Sequence, residues 1–223
     1  MVVGNGFIAS AFSQFQDSED VVIFASGVSN SRETRPEEFL RERKLLETYL
    51  TSDRLLVYFS TTSIFDQSLQ DSMYILHKKD MEALIREKTQ NHLIFRLPIM
   101  VGASSNKNTL INFLTESIEE GKEFKIHANA CRYLMSIDDI RNLLPAIISN
   151  SANWNNPHNV FTTKCLPVPE IVKLLEAQIG KKGNYELIER GDCYEINISS
   201  ALLSHPAFKY HEPNIILAST KSS

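Results

Sequence analysis

An α/β fold on a doubly wound parallel sheet is what this sequence predicts. Two observations carry that reading: short apolar runs rich in β-branched residues alternate with longer segments of helical period, and the first run leads into a glycine turn that opens a helix. The composition bounds the alternatives. A chain of 223 residues with 43% hydrophobic and 22% charged residues is neither collagen-like, disulfide-dense nor disordered. Its net charge of −4, from 23 basic and 27 acidic residues, argues against a basic footprint for nucleic acid. The three cysteines, Cys131, Cys165 and Cys193, are widely spaced with no C-x-x-C pair, which predicts a reducing compartment and no structural zinc site. No apolar run reaches a membrane span and no signal-peptide pattern is present, so a cytoplasmic protein without membrane attachment is expected.

Met1-Val2-Val3 predicts a first strand, stopped by Gly4-Asn5-Gly6, and Phe7 to Phe15 has the apolar spacing of a helix. Val21 to Ala25 is a continuous apolar run, as in a strand buried on both faces. Pro36 opens a helix to about Leu50 with Phe39, Leu40, Leu45, Leu46 and Tyr49 inward, and its Arg41-Glu42-Arg43-Lys44 run reads as a solvated face. Leu55 to Phe59 predicts another strand, and Asp71-Ser72 caps a helix to about Lys88. His92 to Leu97 is a strand ended by Pro98 and Gly102, and Thr109 to Glu120 is a helix stopped at Gly121. Asp138-Asp139 begin a helix through Ile148, and Pro169 to Ile179 forms one more before Gly180. The expected organisation is a core over residues 1–150 and a small C-terminal substrate lobe over 151–223, interleaved with 103–135. The Ser/Asn-rich stretch 149–159 is the expected hinge, and 219–223 a frayed tail.

Gly4-Asn5-Gly6-Phe7-Ile8-Ala9 fits G-x-G-x-x-A between strand and helix. The first glycine permits the tight turn, the second admits a pyrophosphate, and the small third residue lets helix and strand pack closely. The sheet is therefore expected to be Rossmann-like. Tyr74 and Lys78 lie four apart on one helix face, with Met81 and Ile85 continuing the stripe. An ammonium beside a phenol favours the phenolate and suits acid–base work on a hydroxyl or ketone. Thr61 closes a buried strand thirteen residues upstream, where its hydroxyl can meet a substrate oxygen beside Tyr74.

Glycine turn, strand-end hydroxyl and Y-x-x-x-K, in this order, resemble the short-chain dehydrogenase/reductases, and within them the extended nucleotide-sugar epimerase, dehydratase and reductase branch. Asp20 to Ser26 is similar to that branch's DVVIHLAA strand, Ser60 to Phe65 to its STxEVY segment, Arg96 to Gly102 to its RLxxVYG strand, and Cys131 to Asp139 to its RDYIHVDDL segment. The likeness runs to about Ile148. It implies a catalytic set of Thr61, Tyr74 and Lys78. It implies a cofactor, NAD or NADP, contacted by Gly4, Asn5, Gly6, Phe7, Ile8, Ala25, Ser26, Gly27, Tyr74, Lys78 and Pro98. It further implies a nucleotide-sugar substrate near Ser63 and Arg132, the latter on the diphosphate, and a homodimer through the Y-x-x-x-K helix and the helix before it.

The chain also departs from that branch. About fourteen residues separate Gly6 from Val21, room for one helix but not for the βαβ repeat whose acidic or basic residue selects the adenosine ribose, so the shortened core leaves NAD and NADP both open. Glu38 stands where Asn is common, His77 where Ser is usual, and Met73 where Pro often precedes the tyrosine. Tyr74 follows Thr61 at about half the usual distance. Arg132 has a second reading as a salt-bridge partner of Asp138 or Asp139, and Asp138-Asp139 read as a helix N-terminal charge pair. Trp154 reads as a loop anchor, and His127 and His158, without metal spacing, as surface or loop residues. The expected function is an NAD(P)-dependent oxidoreductase or epimerase acting on a nucleotide-linked sugar; the alternative is a degenerate relative that binds a nucleotide, nucleotide-sugar or partner chain without turnover.

Overall fold

The computed structural model describes residues 1–102 and 109–213. Five strands form one parallel sheet: β1 (Val2–Val3), β2 (Val21–Phe24), β3 (Leu55–Thr61), β4 (His92–Leu97) and, much later in the chain, β9 (Pro157–Asn159), side by side in that order. Between them come α1 (Pro36–Glu47), α2 (Met73–Lys88), β5 (Ile99–Val101), α3 (Leu110–Glu120), β6 (Glu123–His127), β7 (Cys131–Arg132), β8 (Leu134–Ser136) and α4 (Ile137–Ile148). After β9 follow β10 (Leu166–Pro167), α5 (Val168–Ile179), β11 (Asn184–Ile188) and the short α6 (Ser200–Leu203). The architecture is Rossmann-like, and the alternation of β3 shows why. Leu55, Val57 and Phe59 point to one face and pack with Phe12, Ile140 and Leu144; Leu56 and Tyr58 point to the other and pack with Leu46, Met81 and Ile85. All seven β3 residues are buried, as the unbroken apolar run requires.

The sequence-predicted boundaries hold for most helices. Ser72 caps α2 by accepting from Ile75 N–H, Thr109 caps α3, and Ser136 and Asp139 form a reciprocal capping box at α4. The first helix differs. It is a 3₁₀ segment, Ala9–Phe15, kinked at Phe12, and it covers the face opposite to α1 and α2. Because the strand order steps one way along the sheet, the β1-to-β2 crossover has the opposite hand to the next two. The inward set of α1 also differs: Phe39 and Leu46 are buried but Leu40 is 49% exposed, and Glu42 takes the inward place between them.

The second lobe is built from the middle and the end of the chain together. α3 packs beside α5, β6 pairs in parallel with β11, β7 pairs antiparallel with β10, and Ile111, Leu114, Phe124, Ile171 and Leu175 share one core. These pairings interleave the middle of the chain with its later part, while β9 joins the central sheet. In the stretch 149–159 Trp154 Nε1 donates to the Ile148 carbonyl at 2.9 Å and anchors the loop on the core. His158, expected on a surface or loop, is buried in β9, with Nδ1 2.7 Å from Ser199 Oγ and Nε2 2.8 Å from the Asn153 carbonyl. Cys131 and Cys193 are joined as a disulfide with Cα atoms 4.6 Å apart, a pairing across 62 residues that spacing alone does not signal, while Cys165 is free. Residues 219–223 lie outside the described residues, and among those described no helix is long and apolar enough to cross a membrane.

Phe95 lies at the centre of the sheet, fully buried, with Phe59 at 6.2 Å and His158 at 5.9 Å between ring centroids. Phe95→Ala should lower the unfolding free energy by about 3–5 kcal/mol, read as a lower urea midpoint at an unchanged slope.

Candidate functional site

The carboxyl ends of β1 to β4 bring the sequence-predicted residues to one edge of the sheet, where ligands of open parallel sheets bind. Gly4 leaves β1 with φ +115°, and a Cβ there would lie 2.6 Å from the Ala25 carbonyl oxygen, so the turn closes against β2 only as glycine. Gly6 faces open space, with nothing within 4 Å of a Cβ, while Phe7 and Ile8 turn half inward. The Ala25-Ser26-Gly27 loop runs beside this turn. Gly27 makes a close approach of another kind: a Cβ would stand 2.9 Å from Lys78 Nζ and 3.1 Å from Glu42 Oε1, so a side chain there would press on the tips of both charged groups.

β3 and α2 place the hydroxyl pair. Thr61 ends β3, and its Oγ1 accepts from Ser63 N–H at 3.1 Å. Tyr74 sits in the first turn of α2, buried, with its hydroxyl hydrogen-bonded to that of Thr61. Lys78, one turn on, is buried too, but its ammonium does not reach for Tyr74. Nζ donates to Glu42 Oε1 and to Tyr58 Oη, each at 3.0 Å, and lies 5.9 Å from the Tyr74 ring centroid. Glu42 is wholly buried and is also met by Tyr58 Oη at 2.6 Å, Val28 N–H at 2.6 Å and His77 Nε2 at 3.0 Å. Burial opposes its charge, but Lys78, His77, Tyr58 and the Val28 amide outweigh burial and hold the carboxyl well below its usual range. The expected phenolate is consequently not favoured. Burial first, then the Glu42 charge, push the Tyr74 phenol well above its ordinary value of 10.0, against the opposing Thr61 hydrogen bond.

A second cluster adjoins the first. Ser63 and Thr62 meet the Tyr194 hydroxyl, Thr62 Oγ1 at 3.5 Å, and Tyr133 Oη lies 3.4 Å from the Tyr194 carbonyl. Arg132 is mostly buried and pairs at 3.0 Å with Asp66, not with Asp138 or Asp139, and NH1 donates to the Cys131 carbonyl at 2.6 Å. Asp138 pairs with Arg141, and Asp139 caps α4 while accepting from Thr162 and meeting His211 at 3.0 Å, so both serve the helix start. Arg96 grips Glu82 with two bonds, of 2.9 and 2.6 Å, over the Phe65 ring, fixing α2 to β4 just before the buried Pro98. Among the described residues no group of three or more His, Cys, Asp or Glu side chains comes together to hold a metal.

Glu42, Tyr58 and Tyr194 were not singled out by sequence. Glu42 had a legible signal: it lies three residues after Phe39 and four before Leu46, inside the buried stripe of α1. Glu38, by contrast, is half-exposed and pairs with Arg41 and Arg35.

No protein-family model and no curated protein sequence matches the chain. Solved structures do. MoeE5, solved in complex with UDP-glucose and NAD, is similar with a TM-score of 0.74 at 16% identity, over 90% of this chain and 77% of that one. UDP-glucuronic acid 4-epimerase from Bacillus cereus, in complex with UDP-glucuronic acid and NAD, gives 0.73 at 16% identity over 90% and 74%. RMD from Pseudomonas aeruginosa, complexed with NADPH, gives 0.66 at 13% identity over 99% and 89%. These likenesses show that the fold is shared.

The buried charges predict an acid-labile core. Glu42 and Glu82 both have depressed pKa values when folded, so their contribution is complete above the ordinary carboxylate value of about 4.5 and is lost as pH falls below it. Lys78→Met, which strands Glu42 in the core, should cost about 3–5 kcal/mol at pH 7 by urea denaturation and lose less on acidification than the wild type.

Proposed function

We propose that this chain is a shortened, divergent member of the extended short-chain dehydrogenase/reductases, a nicotinamide-dependent oxidoreductase acting on a nucleotide-linked sugar. The observation that carries the reading is the Thr61–Tyr74 hydroxyl pair at the carboxyl edge of the sheet, beside the glycine turn. The complexes of the similar structures with NAD, NADPH and UDP-sugars support it. The residues fit a dinucleotide at the turn, because Gly4 brings the chain tight against Ala25 and Gly6 leaves open space for a pyrophosphate. Bound there, the nicotinamide supplies or accepts the hydride.

The chain's own residues do the rest. Asn5, Gly6, Phe7 and Ile8 border the pyrophosphate space, while Ala25, Ser26, Gly27 and Pro98 line the cofactor side. Tyr74 exchanges the proton of a sugar hydroxyl or keto group, and Thr61 orients the reacting oxygen. Ser63 and Arg132 face the substrate; the Asp66 pair leaves Arg132 partly neutralised and suits it to positioning a diphosphate more than to binding it alone. Lys78 acts from beneath Gly27 through the Glu42 network. Leu40 on α1 and Met73 and Leu76 on α2, each 43–50% exposed, are apolar side chains that the two helices offer to a homodimer. A cytoplasmic location accords with this metabolism, but the Cys131–Cys193 disulfide stands against the reducing compartment expected from the cysteine spacing. The competing reading, a binding module without turnover, is favoured by the engagement of Lys78 by Glu42.

Titration of the purified protein with NAD⁺, NADH, NADP⁺ and NADPH should raise its thermal stability with one pair, by about 2.7 kcal/mol at a hundredfold excess over Kd. Tyr74→Phe should keep that binding and lose turnover with a nucleotide-sugar. Binding without turnover in the wild type would select the binding module, and no binding at millimolar cofactor would remove the proposal.

A further inference from the structure

The charge beside Tyr74 is settled by a residue outside the Y-x-x-x-K motif. An ammonium about 6 Å from a phenol stabilises the phenolate, whereas the same ammonium in contact with a carboxylate presents almost no net charge to its surroundings. Lys78 is in the second situation: Glu42 and Tyr58 take two of its three donors at 3.0 Å each. Four independent contacts hold Glu42 in place, from α2, β3 and the Val28 amide, so the arrangement is not a chance rotamer. The other groups facing this region do not restore a positive charge beside Tyr74. Thr61 and Tyr58 from β3 are neutral hydroxyls, His77 lies against Glu42, and Glu82 is matched by Arg96 and Arg86.

We propose that Glu42 is a positioning residue that cancels the Lys78 charge and keeps Tyr74 as a neutral phenol, the form that donates its proton when a carbonyl on the substrate is reduced. This deepens and rests on the oxidoreductase reading. In the step implied, the carbonyl carbon gains a hydride from a reduced nicotinamide while the Tyr74 O–H bond breaks and its proton passes to the carbonyl oxygen. The carbonyl is reduced to an alcohol, the nicotinamide is left oxidised, and solvent returns a proton to Tyr74. The reverse step starts from the phenolate that this step leaves behind, so the Glu42–Lys78 pair sets the protonation of the resting site and not the direction of the overall reaction; a phenol with a pKa of about 10 or more is ionised in no more than about one molecule in a thousand at pH 7.

The test reads Tyr74 in the protein without cofactor, by NMR of ring-labelled tyrosine with the Tyr74→Phe spectrum as its assignment. In the wild type the Tyr74 signal should not titrate below about pH 10.5, and in Glu42→Gln it should titrate with an acid dissociation constant about tenfold or more larger. Should Glu42→Gln fail to fold, Glu42→Gln/Lys78→Met removes both charges and should keep Tyr74 at its wild-type position. A wild-type midpoint at or below 10, no change in Glu42→Gln, or an equal fall in the double variant would each overturn the inference. Since no cofactor is present, failure of dinucleotide binding in the separate titration would sink the functional reading without altering this result, and the reverse also holds.

Discussion

A carboxylate and an ammonium buried in contact cannot be separated without leaving a charge in a low-dielectric interior, and the Glu42–Lys78 pair imposes that constraint on most of the site. Through it α1, α2 and β3 are fixed to one another at the level of single side chains, and the Val28 amide ties the loop after β2 to the same carboxylate. The glycine at 27 follows from it, since any larger residue would press on the two charged groups. Lys78 and Tyr74 lie one turn apart on α2, so the same pair helps to place Tyr74. Arg96 and Glu82 repeat the device one turn further along α2, so that helix is tied to the sheet at two successive turns of its buried face.

Much of the fold was legible in the sequence because its signals are local. The unbroken run Leu55 to Phe59 can only be a strand covered on both faces, Ser72 and Thr109 announce the helices they cap, and Gly121 and Gly180 end helices in the left-handed conformation they permit. The glycine turn and the Tyr74 helix face were legible for the same reason. What escaped was set by tertiary contact. Arg132 chose Asp66 over the nearer-in-sequence Asp138 and Asp139, and Cys131 met Cys193 only because residues 189–193 run back alongside β7. His158 looked like a loop residue until β9 took its place beside β4. Glu42 was hidden differently: its charged neighbours Arg41, Arg43 and Lys44 made an inward acid look like part of a solvated run.

The two lobes meet around β3 and the turn that follows it. Thr61 belongs to the sheet and faces Tyr74, whereas Thr62 and Ser63, the next two residues, face Tyr194 from the chain's later part. One short segment thus joins the hydroxyl pair to the cluster containing Arg132 and Asp66. The disulfide to Cys193 fixes the residue next to Tyr194, so the far wall of the site is tied to β7 covalently as well as through hydrogen bonds.

The brevity of β1 bears on how this molecule coexists with copies of itself. A parallel sheet that stops at a strand leaves that strand's outward amides and carbonyls available as a template for another chain, and long flat borders of this kind seed aggregation. Here the border is two residues long and is followed at once by a glycine turn and a kinked 3₁₀ segment that leads the backbone away to one face. Few groups in register remain along this border for a foreign strand to pair with, so among the described residues this side of the sheet is a poor template for self-association.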